Sequence, residues 1–257
     1  MHDSAYLAVA LNAARAAGEL IRGYYRRNPV VKLKADATPV TEADVAAEKL
    51  IREMISAACP GHGFYGEETG RERDDAEYVW LVDPIDGTRS FVRGYPFFST
   101  QIALMRNDHV ELGVSSAPLF GEVAWAERGA GAWLNGERCA VSRIDALGAC
   151  TLSTGNLKSM ATSDAWLGYG ALVARADRSR GYGDFYHYHL LASGRIDIVI
   201  ESDVQILDIA ALSLIVEEAG GRFTDLGGRP LDMHTRSVLA TNGLLHEPVL
   251  EMLDSGM

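Results

Sequence analysis

Apolar residues in the first segment recur at steps of four and three: Leu7, Leu11, Ala14, Gly18, Ile21 and Tyr25. That spacing predicts an amphipathic helix with Ser4 as its N-cap. "NPVVKLKADATPV" breaks the period, and a second helix is predicted from near Thr41 through Leu50, Met54 and Ile55, ended by the turn residues of "CPGHG". From Tyr78 the pattern changes. "YVWLV" is short, continuous and apolar, as a strand covered on both faces would be. "FFSTQIALM", "VELGVSSA" and "EVAWAE" predict further strands, with a turn at Asn107-Asp108 and a hairpin at Asn135-Gly136 within "AWLNGERCAV". "RIDIVIE" places Ile196, Ile198 and Ile200 on one face of a strand. "DIAALSLIVEEAGG" predicts a helix starting at Asp208 and stopping at Gly220-Gly221, followed by short strands in "GRFTDLGGRP" and "SVLATNG". Helices, then strands, then mixed units predict layered α/β structure rather than a simple βαβ repeat. No Pro/Ser-rich linker divides the chain, so it reads as one domain over residues 1–257 with two sublobes meeting near residue 150.

Composition adds boundaries. A chain of 257 residues, 47% hydrophobic, can bury a sizeable core. Its 24 basic and 35 acidic residues give a net charge of −11, which argues against nucleic acid and anionic membrane as partners. A small anionic ligand is not excluded, because a bound metal ion reverses the local field. Cys59, Cys139 and Cys150 form no C-x-x-C pair, and "MHDSAYLAVALNAARAAGEL" does not match a secretory leader. Reduced thiols and a cytoplasmic location are expected. No run of eighteen apolar residues is present to span a bilayer.

The candidate chemistry lies in "WLVDPIDGTRSF". Asp83 falls at the carboxyl end of the predicted strand Tyr78–Val82, where α/β sheets hold ligands. A tight turn through Pro84 can bring Asp86 to the same cation, and Gly87-Thr88 can open a helix whose N–H groups face an anion. Two carboxylates this close raise each other's pKa, and a divalent ion removes that penalty. Oxygen donors without Cys or His indicate a hard ion, Mg²⁺ before Zn²⁺. The same residues also make a good solvated turn. Three more acidic segments bear on the choice: Asp44 in "PVTEAD", Glu67 and Glu68 in "FYGEETG", and Asp208 in "QILDIAA". Each has a plainer reading, as a helix cap with Thr41, a solvated turn and a first-turn acid respectively.

Taken together, "PVTEAD", "GEE", "VDPIDGT" and "LDIAALSLIVEEAGG" resemble, in order, the inositol monophosphatase family of Mg²⁺-dependent phosphatases. The resemblance implies a five-layer αβαβα sandwich and two or three Mg²⁺ ions. It implies that Glu67, Asp83 and the Ile85 carbonyl hold one ion, and that Asp83, Asp86 and Asp208 hold another. Thr88 and Asp44, assisted by Glu67, would orient and deprotonate the attacking water, and the Gly87 and Thr88 amides would receive the phosphate. Family members are commonly homodimers, and a homodimer is the expectation here. Leu207 stands where the family has Trp, and Ser90 where it has Asn. "DGTRSF", with "RGYGDF" at Arg180–Phe185, "GVSSAP" and "ATNGLLHEPVL", is similar to the histidinol-phosphate phosphatase branch. Asp184, Glu201 and Arg180 are the expected substrate contacts, since carboxylates suit an ammonium or imidazolium group. The expected reaction is hydrolysis of L-histidinol phosphate, a small phosphorylated substrate, by direct attack of water. An inositol-1-phosphate or broad sugar phosphatase is the first alternative, and a non-catalytic metal and anion module the second. His187 and His189 read as packing or surface residues. Lys32 and Lys34, in the loop near residues 26–40, are candidates to reach a phosphate.

Overall fold

The computed structural model describes residues 4–27, 31–33, 39–73 and 75–254. Lys34, Asp74 and the Lys32 side chain fall outside that description. In chain order the first half holds α1 (Ala5–Tyr25), β1 (Val31–Leu33), β2 (Pro39–Thr41), α2 (Glu42–Ala58), β3 (Gly63–Gly66), β4 (Gly70–Glu72), β5 (Tyr78–Asp86) and α3 (Thr88–Val92). It continues through β6 (Ser99–Arg106), β7 (His109–Ala117), β8 (Glu122–Glu127), β9 (Gly131–Leu134) and β10 (Glu137–Arg138). The second half holds β11 (Thr151–Thr154), α4 (Leu157–Met160), α5 (Trp166–Arg175), β12 (Arg178–Arg180), α6 (Tyr186–Ala192) and β13 (Ile198–Ser202). It ends with α7 (Ile206–Glu218), β14 (Arg222–Thr224), β15 (Ser237–Thr241) and α8 (His246–Asp254).

The apolar stripe of α1 is buried at Leu7, Ala14, Gly18 and Ile21, and the Ser4 hydroxyl accepts the Leu7 N–H at 3.1 Å. That cap satisfies one of the donors a helix start leaves free. α1 and α2 cover the outer face of an eight-stranded sheet of order β10-β9-β8-β7-β6-β5-β3-β4. α6 and α7 cover its inner face and meet a five-stranded sheet of order β12-β11-β13-β15-β14. α4, α5 and α8 close the far side, giving the expected five layers, α/β/α/β/α. α7 is buried without a break from Ile209 to Val216. A helix apolar on every side fits only between two sheets. Leu207, in the place of the family's Trp, is buried in that central layer.

The predicted turns are present: Asn107-Asp108 and Asn135-Gly136 both have positive φ at their two residues, the conformation that closes a two-residue hairpin. Two expectations need correction. The strand expected from Ile196 begins at Ile198. The Asp197 carboxylate instead binds the Ser142 hydroxyl and the Thr151 N–H, so Ile196 packs with Val199 toward the central layer while Ile198 and Ile200 face the outer helices. The helix expected to start at Asp208 starts at Ile206, because Asp208 reaches back to cap it. Of the two readings open for His187 and His189, α6 takes the packing one and buries both.

Candidate active site

β5 does not stop at Val82. It runs on to Asp86, pairing Asp83 with Gln101 and then Asp86 with Ser99. β5 advances three residues over that interval while β6 advances two, which is a β-bulge. In a regular strand, residues three apart face opposite sides of the sheet. The extra residue therefore turns Asp86 to the side of Asp83. Asp83 Oδ1 accepts the Ile85 N–H at 2.9 Å, and Thr100 donates to the Pro84 carbonyl at 2.9 Å, so the bulge is held from both sides. Gly87 has φ +88°, and a Cβ there would stand 2.5 Å from the Phe97 carbonyl oxygen. Only glycine serves that corner. α3 starts immediately after it with no side-chain cap, so its first N–H groups have no intrahelical partner.

Across the central layer, Asp208 sits in the first turn of α7, where its Oδ2 accepts the Gln205 N–H at 2.7 Å. One oxygen each from Asp83, Asp86 and Asp208 lies within 4.8 Å of the others. Burial first, then neighbouring carboxylates, push Asp83 and Asp86 well above the ordinary carboxylate range and Asp208 to about 7. Glu67 acts on Asp83 and on Asp208, and no Lys or Arg appears among the main influences on the three. Buried like charges with no counter-charge acting on them among the described residues, presented by oxygen donors alone, fit a hard divalent cation.

Asp44 is fully buried and uses both of its oxygens. Oδ2 accepts the Thr41 N–H at 2.8 Å and the Thr41 hydroxyl at 2.5 Å, closing a capping box on α2. Oδ1 receives the Thr88 hydroxyl at 3.3 Å, and that hydroxyl also points at the Ile85 carbonyl at 3.0 Å. The cap and the site partner are thus one residue. Burial raises the Asp44 pKa, against the two Thr41 hydrogen bonds that lower it.

Glu67 follows β3, its N–H bonded to the Val82 carbonyl at 3.1 Å. The loop it opens is fixed by a residue that sequence reading missed. Glu48 is fully buried; it accepts the Glu68 N–H at 2.7 Å and the Thr69 N–H and hydroxyl at 2.9 and 2.5 Å. Its signal was present: an acid one turn after Asp44, on the face of α2 that also buries Ala47 and Ile51.

The acidic site extends toward the second sheet. Asp86, Asp184, Glu201, Asp203 and Asp208 line one small pocket with Asn156 and Tyr188. Glu201 projects inward from β13 and is held by the Tyr188 hydroxyl at 2.8 Å and His187 Nε2 at 3.0 Å. Asp184 has φ +43°, accepts the Ser90 hydroxyl at 3.4 Å, and is pushed to about 6 by burial and then by Glu201. Ser90 and Asp184, both in the branch-like motifs, therefore touch. Arg180 is not brought in. It is exposed on β12 with its guanidinium on the Ser179 carbonyl at 2.7 Å.

The model of the inositol monophosphatase family matches residues 2–256. A histidinol-phosphatase of Mycobacterium tuberculosis is 40% identical over 99% of both chains. A fructose-1,6-bisphosphatase/inositol-1-monophosphatase of Thermotoga maritima is 33% identical over 93% of this chain and 92% of its own. The crystal structure of extragenic suppressor protein suhB from Bartonella henselae superimposes with a TM-score of 0.92 at 34% identity, over 99% of this chain and 100% of that one. The fold and the acidic cluster define a metal-dependent phosphatase of the layered α/β class. Within that class, the chain belongs to the inositol monophosphatase family.

Proposed function

We propose that the protein is a Mg²⁺-dependent phosphomonoesterase that hydrolyses L-histidinol phosphate. The observation that carries the substrate is the pocket in which Asp184 and Glu201 stand beside Asp86 and Asp208. A carboxylate pair next to the metal cluster favours a leaving group that carries its own positive charge. A polyol would bring no cation to Asp184, whereas Glu201 already meets Tyr188 and His187. The similarity to the Mycobacterium tuberculosis histidinol-phosphatase supports the same choice.

Glu67, Asp83, Asp86, Asp208 and the Ile85 carbonyl would hold the ions. Bound there, Mg²⁺ neutralises the phosphoryl oxygens and acidifies a water. The protein's own groups do the rest. The Thr88 hydroxyl, anchored on Asp44 Oδ1, orients the water, and Asp44 takes its proton with help from Glu67. The Gly87 and Thr88 amides receive the phosphate at the uncapped start of α3. Asp184 and Glu201 hold the amine. Transfer goes straight to water, so no Ser or Cys nucleophile takes part.

The test is phosphate release from histidinol phosphate and inositol 1-phosphate, before and after chelation. Histidinol phosphate should be preferred at least tenfold in kcat/KM, with activity lost on chelation and restored by Mg²⁺. A tenfold preference for inositol phosphate would move the assignment to the polyol branch. No turnover of any phosphomonoester would leave a metal and anion module.

A further inference from the structure

A strip of buried polar side chains leaves the acidic cluster, crosses the eight-stranded sheet and ends near the surface at Glu122. It begins where the Ser99 hydroxyl meets Asp86 Oδ2 at 3.3 Å. Gln101 Nε2 lies 2.7 Å from Ser99 Oγ and 3.1 Å from Ser115 Oγ. Ser115 Oγ lies 2.8 Å from His189 Nε2, and His189 Nδ1 lies 3.0 Å from Glu122 Oε2. Ser99, Gln101, Ser115 and His189 are at most 1% exposed, and the Glu122 side chain is 16% exposed. Burying five polar groups among apolar layers is costly unless every link is made.

The direction of each bond follows from the two ends. With Asp86 ionised, as a metal ligand must be, its Oδ2 can only accept, so Ser99 donates to it and must itself accept from Gln101. Glu122 also can only accept, so His189 carries its proton on Nδ1, and its bare Nε2 takes the Ser115 hydroxyl hydrogen. Ser115 must then accept from Gln101 as well. A chain with an acceptor at each end needs one double donor in the middle, and the Gln101 amide NH₂ is that group. Its Oε1 has no hydrogen-bond partner among the described residues. Burial lowers the His189 pKa, consistent with the neutral tautomer this direction requires.

We propose that Gln101, braced by Ser115, His189 and Glu122, is a positioning residue for the metal cluster. It aims the Ser99 hydroxyl at Asp86 Oδ2 and so leaves Oδ1 to the ion. This rests on the reading of Asp86 as a metal ligand. Outer partners of metal ligands usually change affinity or activity by about tenfold or more when removed. His246 provides a matched control: it is fully buried, its two nitrogens lie 2.9 and 3.1 Å from the Thr224 and Thr241 hydroxyls, and it has no link to the strip.

The experiment is calorimetric titration of the metal-free protein with Mn²⁺, alongside thermal melting and turnover. Ser99→Ala and Gln101→Met should each weaken Mn²⁺ binding about tenfold in folded protein, and Ser99→Thr should restore it. The double variant should be no weaker than Ser99→Ala alone, because both act through one contact. His246→Gln should lower the melting temperature and leave Mn²⁺ affinity unchanged. Mn²⁺ affinity within twofold of the parent in folded Ser99→Ala, or additive losses in the double variant, overturns the proposal. If Gln101→Met does not fold, the Ser99 pair decides alone. A parent protein that binds no Mn²⁺ sinks the metal reading instead, and is distinguishable on that account.

Discussion

Asp83 sits among three other carboxylates of the site. It caps the bulge through Ile85 and is pressed by Glu67, Asp86 and Asp208. Replacing it by Asn removes one charge from an uncompensated group while keeping an acceptor for the Ile85 N–H. The expected outcome is a folded protein whose metal-free form melts no lower than the parent, with turnover down at least a thousandfold; circular dichroism and phosphate release check both. Near-normal turnover would contradict the metal role. Asp184, which faces both Ser90 and Asp86, is the proposed amine contact. Asp184→Asn should raise KM for histidinol phosphate about tenfold with kcat little changed, the loss expected for one hydrogen bond to a charged group. Equal effects on histidinol phosphate and inositol phosphate would deny Asp184 a part in amine recognition. Asp83, Asp86, Asp208, Glu67, Asp44 and Thr88 were named from the sequence because their motifs together, and in order, resemble one family; taken singly, each acidic segment also had a plainer reading as a cap, a turn or a first-turn acid. Glu48 and Gln101 were not named, since their partners lie 20 or more and about 14 residues away across packed elements.

At the scale of elements, α2 and β5 each do two things at once. The first turn of α2 presents Asp44 both as its own cap and as the partner of Thr88; one turn later Glu48 holds the loop that carries Glu67. A Cβ on Gly66 would lie 2.5 Å from the Glu48 carboxylate, so this loop tolerates no side chain at its root. Gly66→Ala should cost about 1–3 kcal/mol through overpacking and lower turnover further by displacing Glu67. Urea melts with per-folded-molecule kinetics separate the two effects, and unchanged kinetics in the folded fraction would deny the loop its role. α1 and α2 were readable because their burial repeats at a fixed step, and β5 because its apolar run is continuous. The bulge in β5 was not, because an inserted residue alters pairing with β6 without altering composition.

At the scale of the molecule, the central layer concentrates negative charge where two sheets and α7 meet. The sign of the resulting pH dependence follows from the raised pKa values. Asp208 binds its proton up to about 7 when folded and only to the ordinary 3.8 when unfolded, and Asp83 and Asp86 shift the same way. Between those limits the folded state holds more protons, so stability falls as pH rises. The metal-free protein should melt several degrees lower at pH 8 than at pH 5, and Mg²⁺ should raise the melting temperature at pH 8 much more than at pH 5. A metal-free melting temperature that rises over this range would mean that the carboxylates are compensated by something other than an ion.

The sequence by itself determined the element types, the layered class, the four acidic motifs and the family, because each depends on residues within a few positions of one another. Tertiary structure alone decided which carboxylates share a space, that Asp44 and Glu48 serve the site from one helix face, and that a polar strip ties Asp86 to Glu122. The physical reason is register. A single inserted residue in β5 sets which side chains face the central layer, and the polar contacts along that face are fixed by the register of β5, β6 and β7 rather than by any one stretch of sequence.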